Sequence, residues 1–254
     1  MSSYGLWLSA AGMKISGHKQ TLIANNLANA ETTGFKRDLA VVLERPVESR
    51  EGPGGMPFVH PVLDGMGGGV NVRPTFHDFS PGPIEHTGRP LDVALDGEGF
   101  LTVSDGKTTR YTRDGVMTVN RRGELVLSSG GGRWRVLDES GSPIVFQRGK
   151  GAVTILPDGT VRQGKTAVGK LARVRADDPQ AMRKVGENLF EVGDANMSPS
   201  DVRIVPEARE GANVEVVSTL ATMIEAARAY QLNATMIQMQ DELTGQVLTV
   251  GRPV

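Results

Sequence analysis

The stretch that decides the fold is "NNLANAETTGFK", Asn25 to Lys36. It closes a proline-free run from Ser3 in which Leu8, Ala11, Ile15, His18, Leu22, Asn25 and Asn29 recur at spacings of three and four. That spacing places them on one face of a helix roughly 40 Å long. Ser2 or Ser3 is positioned to cap its start. Asn25, Asn26 and Asn29 then load the helix end with amides, poor helix formers that each bring several hydrogen-bonding sites to satisfy. The Thr-Thr-Gly-Phe that follows reads as a turn, with Gly34 suited to a left-handed conformation and Phe35 anchoring the departing chain. Asn25 and Asn29, one helical turn apart, suit either a buried seam, where an amide weakens packing but penalises a misaligned partner, or a solvated, fraying helix end.

The far end of the chain has a matching pattern. From Asn213 to about Leu248, Val216, Leu220, Met223, Ala227, Tyr230, Ala234 and Ile237 alternate spacings of four and three, followed by Asp241, Thr244 and Leu248. This is a coiled-coil-like seam, flanked by Val217, Ile224 and Met236, which widen the apolar face toward further neighbours.

Between the ends, short apolar runs alternate with turn signals: Asp96-Gly97, Asp105-Gly106, Asp114-Gly115, Arg122-Gly123, Ser140-Gly141 and Asp158-Gly159. Turns at this interval predict an all-β region in which "FLTVS", "TRYT", "VMTVN", "ELVLS", "RWRVL" and "PIVFQ" are successive strands. Residues 45–90 read as an extended connector, and 173–200 as irregular structure with short strands. The predicted class is α+β. Paired terminal helices (1–40 with 206–254) form a coiled-coil-like stalk, 41–86 connect, and 87–205 form an inserted β-rich domain.

Composition excludes several function classes. The 254 residues carry a net charge of −1, which gives no basic footprint for nucleic acid. There is no cysteine, hence no disulfide and no thiolate metal site. "MSSYGLWLSAAGM" lacks the cationic start of a secretory signal, so any export would be by a specialised route without cleavage.

Candidate chemistry is sparse. Asp92, Asp96 and Glu98 have the even spacing that shares a strand face, with Asp96 and Glu98 roughly 6.6 Å apart, near the separation of glycosidase carboxylate pairs. Asp96-Gly97 is equally an ordinary turn. His18, His60, His77 and His86 lack ligand spacing, and no metal or cofactor is expected. The clusters "GMGGGV" and "GGGR" lack the lysine of a phosphate loop and read as flexible turns. Ser128 and Ser129 lack a nucleophile elbow. Trp134, in "RWRVL", reads as a core residue. The chain is therefore read as non-enzymatic, without a small-molecule substrate.

Three segments resemble one family, in order. "NNLANAETTGFK" is similar to the amino-terminal signature of flagellar rod and hook proteins. Thr87 to Val126, with Asp-Val-Ala, Gly-x-Gly-Phe and Tyr-Thr-Arg-x-Gly, resembles the central segment of the hook–basal-body family. Ala212 to Glu242 resembles its carboxy-terminal signature. Glu215 stands where the family usually has asparagine or aspartate, and "TVGRPV" runs past the usual helical end. The resemblance implies a structural subunit of the basal-body rod, proximal or distal, exported by the flagellar apparatus. Its partners would be copies of itself and other rod or hook proteins. The implied assembly interface is Leu8, Ile15, Leu22, Asn25, Asn26, Asn29, Phe35, Val216, Leu220, Met223, Tyr230 and Ile237. The other reading is a β-domain on a helical stalk that binds cell wall or carbohydrate.

Overall fold

A computed structural model describes residues 3–44, 70–72, 75–147, 149–193 and 196–250. Ser2, most of the expected connector and the last four residues, Gly251 to Val254, lie outside the described residues. The chain divides into two compact units. One comprises Met1–Ala28, Asp38–Phe76 and Glu215–Val254; the other comprises Asn29–Arg37 and His77–Val214. The sequence reading drew these boundaries differently, assigning residues 29–37 and 206–214 to the helices. Both segments instead belong to the β-rich unit, because their backbone and side chains are bonded into it.

The first unit is built on α1 (Ser3–Ala28) and α2 (Val216–Val250). They pack antiparallel: Gly5 faces Gln240, Gly12 faces Asn233 and Gly17 lies beside Tyr230. A short antiparallel ribbon, Val42–Glu44 with Val70–Val72, belongs to the same unit. Glu215 starts α2: its carbonyl accepts the first helical bond from Thr219 N at 3.0 Å, and its carboxylate accepts from Ser218 Oγ at 3.1 Å. Hydroxyls inside the helices are satisfied by the preceding turn, as with Thr222 to Ser218 O and Thr235 to Gln231 O.

The second unit is mainly β. Its strands are β1 (Ile84–His86), β2 (Val93–Asp96), β3 (Phe100–Ser104), β4 (Thr109–Thr112), β5 (Met117–Val119), β6 (Leu125–Leu127), β7 (Arg135–Val136), β8 (Val153–Ile155), β9 (Thr160–Gln163), β10 (Thr166–Lys170), β11 (Arg173–Ala176), β12 (Met182–Lys184), β13 (Leu189–Val192), β14 (Met197–Pro199), β15 (Arg203–Pro206) and β16 (Ala208–Glu210). Nine of them form the largest sheet, ordered β12-β13-β4-β3-β7-β6-β5, with β11 joining β3 to β14. A separate meander is β8-β9-β10. Two antiparallel pairs, β2 with β15 and β1 with β16, bring the end of this unit back beside its beginning.

The period-two alternation along β3 explains the layering. Leu101 and Val103 enter the larger core with Leu95, Leu125, Leu127, Val136 and Ile204. Phe100 points the other way, where it meets Phe79 and Phe190 at ring centroid separations of 5.6 Å. "FLTVS" and "TRYT" are strands as the sequence predicted, and "VMTVN", "ELVLS" and "RWRVL" contain β5, β6 and β7. "PIVFQ" forms only isolated bridges at Pro143 and Val145. The 173–200 segment does carry short strands, and all four of them join the nine-stranded sheet.

Candidate functional site

The asparagine-rich stretch resolves into distinct jobs. Asn26 is 6% exposed and closes a two-point clamp on the backbone of Asp38. Its Nδ2 donates to Asp38 O at 2.8 Å, and Asp38 N–H donates to its Oδ1 at 2.8 Å. The amide thus mimics one rung of a β-ladder and holds the returning chain against α1. Asn25 is exposed. Asn29 is half-buried and shapes the turn: Thr32 Oγ1 donates to its Oδ1 at 3.2 Å and Thr32 N to its carbonyl at 3.0 Å. The buried amide is therefore Asn26, one position away from the row that the spacing selected.

Past the turn, Gly34 adopts φ +67° and donates to Glu210 O at 2.7 Å. A Cβ there would lie 2.5 Å from the backbone of Arg113, so only glycine fits. Phe35 is buried, with the Lys184 ammonium 4.3 Å from its ring centroid. Lys36 follows, its side chain wholly enclosed. Its Nζ donates to Glu210 Oε1 at 2.6 Å and to Ser80 O at 2.7 Å. Glu210 Oε2 takes Arg113 Nη1 at 3.3 Å, and Gly82 N donates to Oε1 at 3.0 Å. Burial pushes the Lys36 ammonium below its ordinary pKa, with the Glu210 carboxylate opposing that shift; burial likewise lowers Arg113. Asn213 completes the node, its Oδ1 accepting from Arg37 N at 2.7 Å and its Nδ2 donating to Asp78 O at 2.8 Å. Sequence reasoning missed Lys36, Arg113, Glu210 and Asn213 as a group, because no local spacing links them.

The helix pair carries a second feature. Toward α2, α1 presents glycines at positions 5 and 12, and Ser9 and Ser16 on the same three-four spacing are buried. On α2 the buried or half-buried counterparts Ala226, Asn233 and Gln240 lie seven residues apart. Small residues bring the two backbones close and leave the larger apolar side chains outside. Leu6, Trp7 and Leu8 are exposed on α1. On α2, Val217, Ile224, Leu232, Met239 and Leu243 are exposed, with Val217 at 77% and Leu232 at 68%. At 100° per residue these five fall on one side of α2, opposite the face turned to α1.

Of the interface residues named from the sequence, Leu8, Asn25, Val216, Leu220 and Tyr230 are exposed, while Ile15, Leu22, Asn29, Met223 and Ile237 are half-buried. Asn26 is buried within the helical unit and Phe35 within the β-rich unit. The carboxylates considered for catalysis separate as well. Asp92 is buried and bonded to Thr87 Oγ1 and Arg89 Nε, whereas Asp96 and Glu98 are exposed. Trp134 is buried, its Nε1 donating to Glu187 Oε2 at 2.7 Å. Among the described residues, no cluster of acidic and histidine side chains is placed to hold a metal ion, and no helix is long and apolar enough to cross a membrane.

Comparison with known proteins matches three family models. These are a flagella basal body rod protein model at residues 18–36, a flagellar hook protein FlgE/F/G D1 domain at 94–163, and a flagellar basal body rod FlgEFG protein C-terminal model at 206–250. The chain is 37% identical over 229 residues to flagellar basal-body rod protein FlgF of Caulobacter vibrioides, covering 88% of this chain and 87% of the relative. It is 30% identical to flagellar basal-body rod protein FlgG of Borreliella burgdorferi, over 94% of this chain and 96% of the relative. Similarity to FlgF of Salmonella typhimurium is also 30%, over 90% of each chain.

Proposed function

Because the chain belongs to the flagellar basal-body rod protein family, we propose that it self-assembles helically through its terminal helices into the rod and transmits torque across the periplasm. The observation that carries this reading is the apolar side of α2 formed by Val217, Ile224, Leu232, Met239 and Leu243, which α1 leaves uncovered. Large aliphatic side chains gain roughly 1.5–3 kcal/mol each on full burial, so such a side favours association. Its occupants are the helices of neighbouring copies and of other rod or hook subunits, delivered by the flagellar export apparatus without a cleaved signal. The coiled-coil-like stalk forms the inner wall of that assembly, and the β-rich unit forms the outer one. The work is mechanical and non-enzymatic.

Leu232→Asp tests this directly. A carboxylate costs little on an exposed position of the lone subunit, and several kcal/mol if that position is buried between subunits. The expected result is an unchanged helical signal and thermal melt for the dilute protein, with loss of concentration-dependent polymers and of swimming in a complemented deletion strain. Normal polymers and normal swimming would overturn the reading.

A further inference from the structure

Two turns that the sequence presents as unrelated meet at one cavity. The Arg121-Arg122 turn joins β5 to β6, and the glycine run at 130–132 precedes Arg133. Gly130, Gly131 and Gly132 are all left-handed, with φ of 66°, 66° and 72°, so the run coils tightly enough to bring Gly132 and Arg133 to the cavity wall. The cavity measures about 410 Å³ and is lined by Arg121, Arg122, Arg133 and Arg135 against Asp105 and Glu124, with Asn120 and Gly132 completing the wall.

The lining is held in place from behind. Asn120 Oδ1 accepts from Arg122 N at 2.9 Å and Glu124 N at 3.0 Å, and Asn120 Nδ2 donates to Glu124 Oε2 at 2.7 Å. The Arg135 guanidinium lies against the backbone of Gly106, where any Cβ would collide with it at 2.2 Å, and it reaches Glu124 Oε1 only at 3.8 Å. Arg133 stacks over Trp134, 5.2 Å from the ring, and bonds Glu187 Oε2 at 2.8 Å. Among the lining residues four arginines face two carboxylates, Asp105 and Glu124. A second cavity of about 430 Å³ elsewhere in the unit supplies the contrast. There Asp96, Glu98 and Asp201 outnumber Arg175 and Arg203, so size alone does not collect cations.

We propose that the Arg121–Arg122 turn and the Gly130–Arg133 turn form a binding site for phosphate groups. Guanidinium donors from separate turns converge on a tetrahedral oxyanion more readily than on a planar carboxylate, which offers only two oxygens. Among the described residues no exposed aromatic lines the cavity to stack a sugar ring, since the Trp134 indole is buried beneath Arg133. The phosphate comes either as a free ion or as a repeating group on a phosphodiester polymer, and the site recognises the same chemistry in both.

Titration of the full-length protein with inorganic pyrophosphate, followed by calorimetry, tests the site. Saturable one-to-one binding is expected, weakened about tenfold or more in Arg122→Gln, the loss of one charge-assisted contact, and less in Arg122→Lys. Arg175→Gln, in the other cavity, is expected to bind as the parent does. A thermal melt establishes that Arg122→Gln, on an exposed turn, retains its fold. Parallel titrations with inorganic phosphate and poly(glycerol phosphate) identify the source: tighter binding of the polymer assigns a polymer ligand, and equal or tighter binding of the free ion assigns the ion. Absence of saturable binding by all three probes, or undiminished binding in Arg122→Gln, would overturn the proposal.

Discussion

Lys36 Nζ lies 2.6 Å from Glu210 Oε1, and neither side chain touches solvent. The two residues are 174 positions apart, one just after α1 and the other just before α2. Their contact ties the first segment of the β-rich unit to its last.

Removing Glu210 leaves uncompensated buried charge, at a cost on the order of 3–5 kcal/mol. Glu210→Gln is expected to be the more damaging change, because it leaves Lys36 and Arg113 facing each other without an anion. Lys36→Met leaves Arg113 paired with Glu210. Urea unfolding followed by Trp134 fluorescence checks the order; a Glu210→Gln protein as stable as Lys36→Met contradicts it.

Asn26 is predicted to be worth more than its helix propensity suggests. Asn26→Leu removes both bonds to the Asp38 backbone, and buried groups left unsatisfied cost about 1–3 kcal/mol each. Asn26→Asp retains the acceptor for Asp38 N–H but sets a carboxylate against the Asp38 carbonyl. Amide exchange at Asp38 should accelerate in Asn26→Leu, with a smaller change in Asn26→Asp.

The three glycines of α1 that approach α2 form a graded series. A Cβ at Gly17 would sit 3.7 Å from the Tyr230 ring, an ordinary contact, so Gly17→Ala is expected to stabilise the helix by up to about 1 kcal/mol. At Gly5 the Cβ meets only the movable end of Gln240. At Gly12 it would lie within 2.6–2.9 Å of three atoms of Asn233, whose Nδ2 is bonded to Ala229 O. Gly12→Ala is therefore expected to lower the helical melt while Gly17→Ala raises it.

Two carboxyls give opposite responses to acid. Burial pushes Asp78 up, but the bonds from Ser80 and the Arg37 guanidinium outweigh it and hold it below the ordinary 3.8. Its contribution is present above pH 3.8 and is lost as pH falls through the lowered value. Burial dominates at Asp114 and raises it above 3.8, against bonds from Ser129 and Val116 N. Its cost appears as pH rises from 3.8 through the raised value. Asp78→Asn should thus lose stability at neutral pH but match the parent in strong acid. Asp114→Asn, whose amide still accepts from Val116 N and can donate to Ser129 Oγ, should be neutral or stabilising at pH 7. Its difference from the parent should vanish below pH 3.8. Melting profiles between pH 2 and 7 check both signs.

The sequence by itself determined the elements whose signals are local. Three-four spacing placed α1 and α2 at the two ends, and Asp-Gly turns with alternating apolar runs placed "FLTVS" and "TRYT" on their strands. The signature at Asn25–Lys36 and the carboxy-terminal pattern pointed to the family. Only the tertiary structure decided which asparagine is buried, which face of α1 meets α2, and that Lys36 finds Glu210. Spacing selects the largest apolar side chains for a buried seam, whereas here glycines and serines bring the helices together and leave Leu8, Val217 and Leu232 outside. The ion cluster and the arginine cavity had no local signature because their members come from separate turns and strands. A charge becomes buried only when distant segments exclude water around it, and that exclusion is a property of the packed chain rather than of any stretch of it.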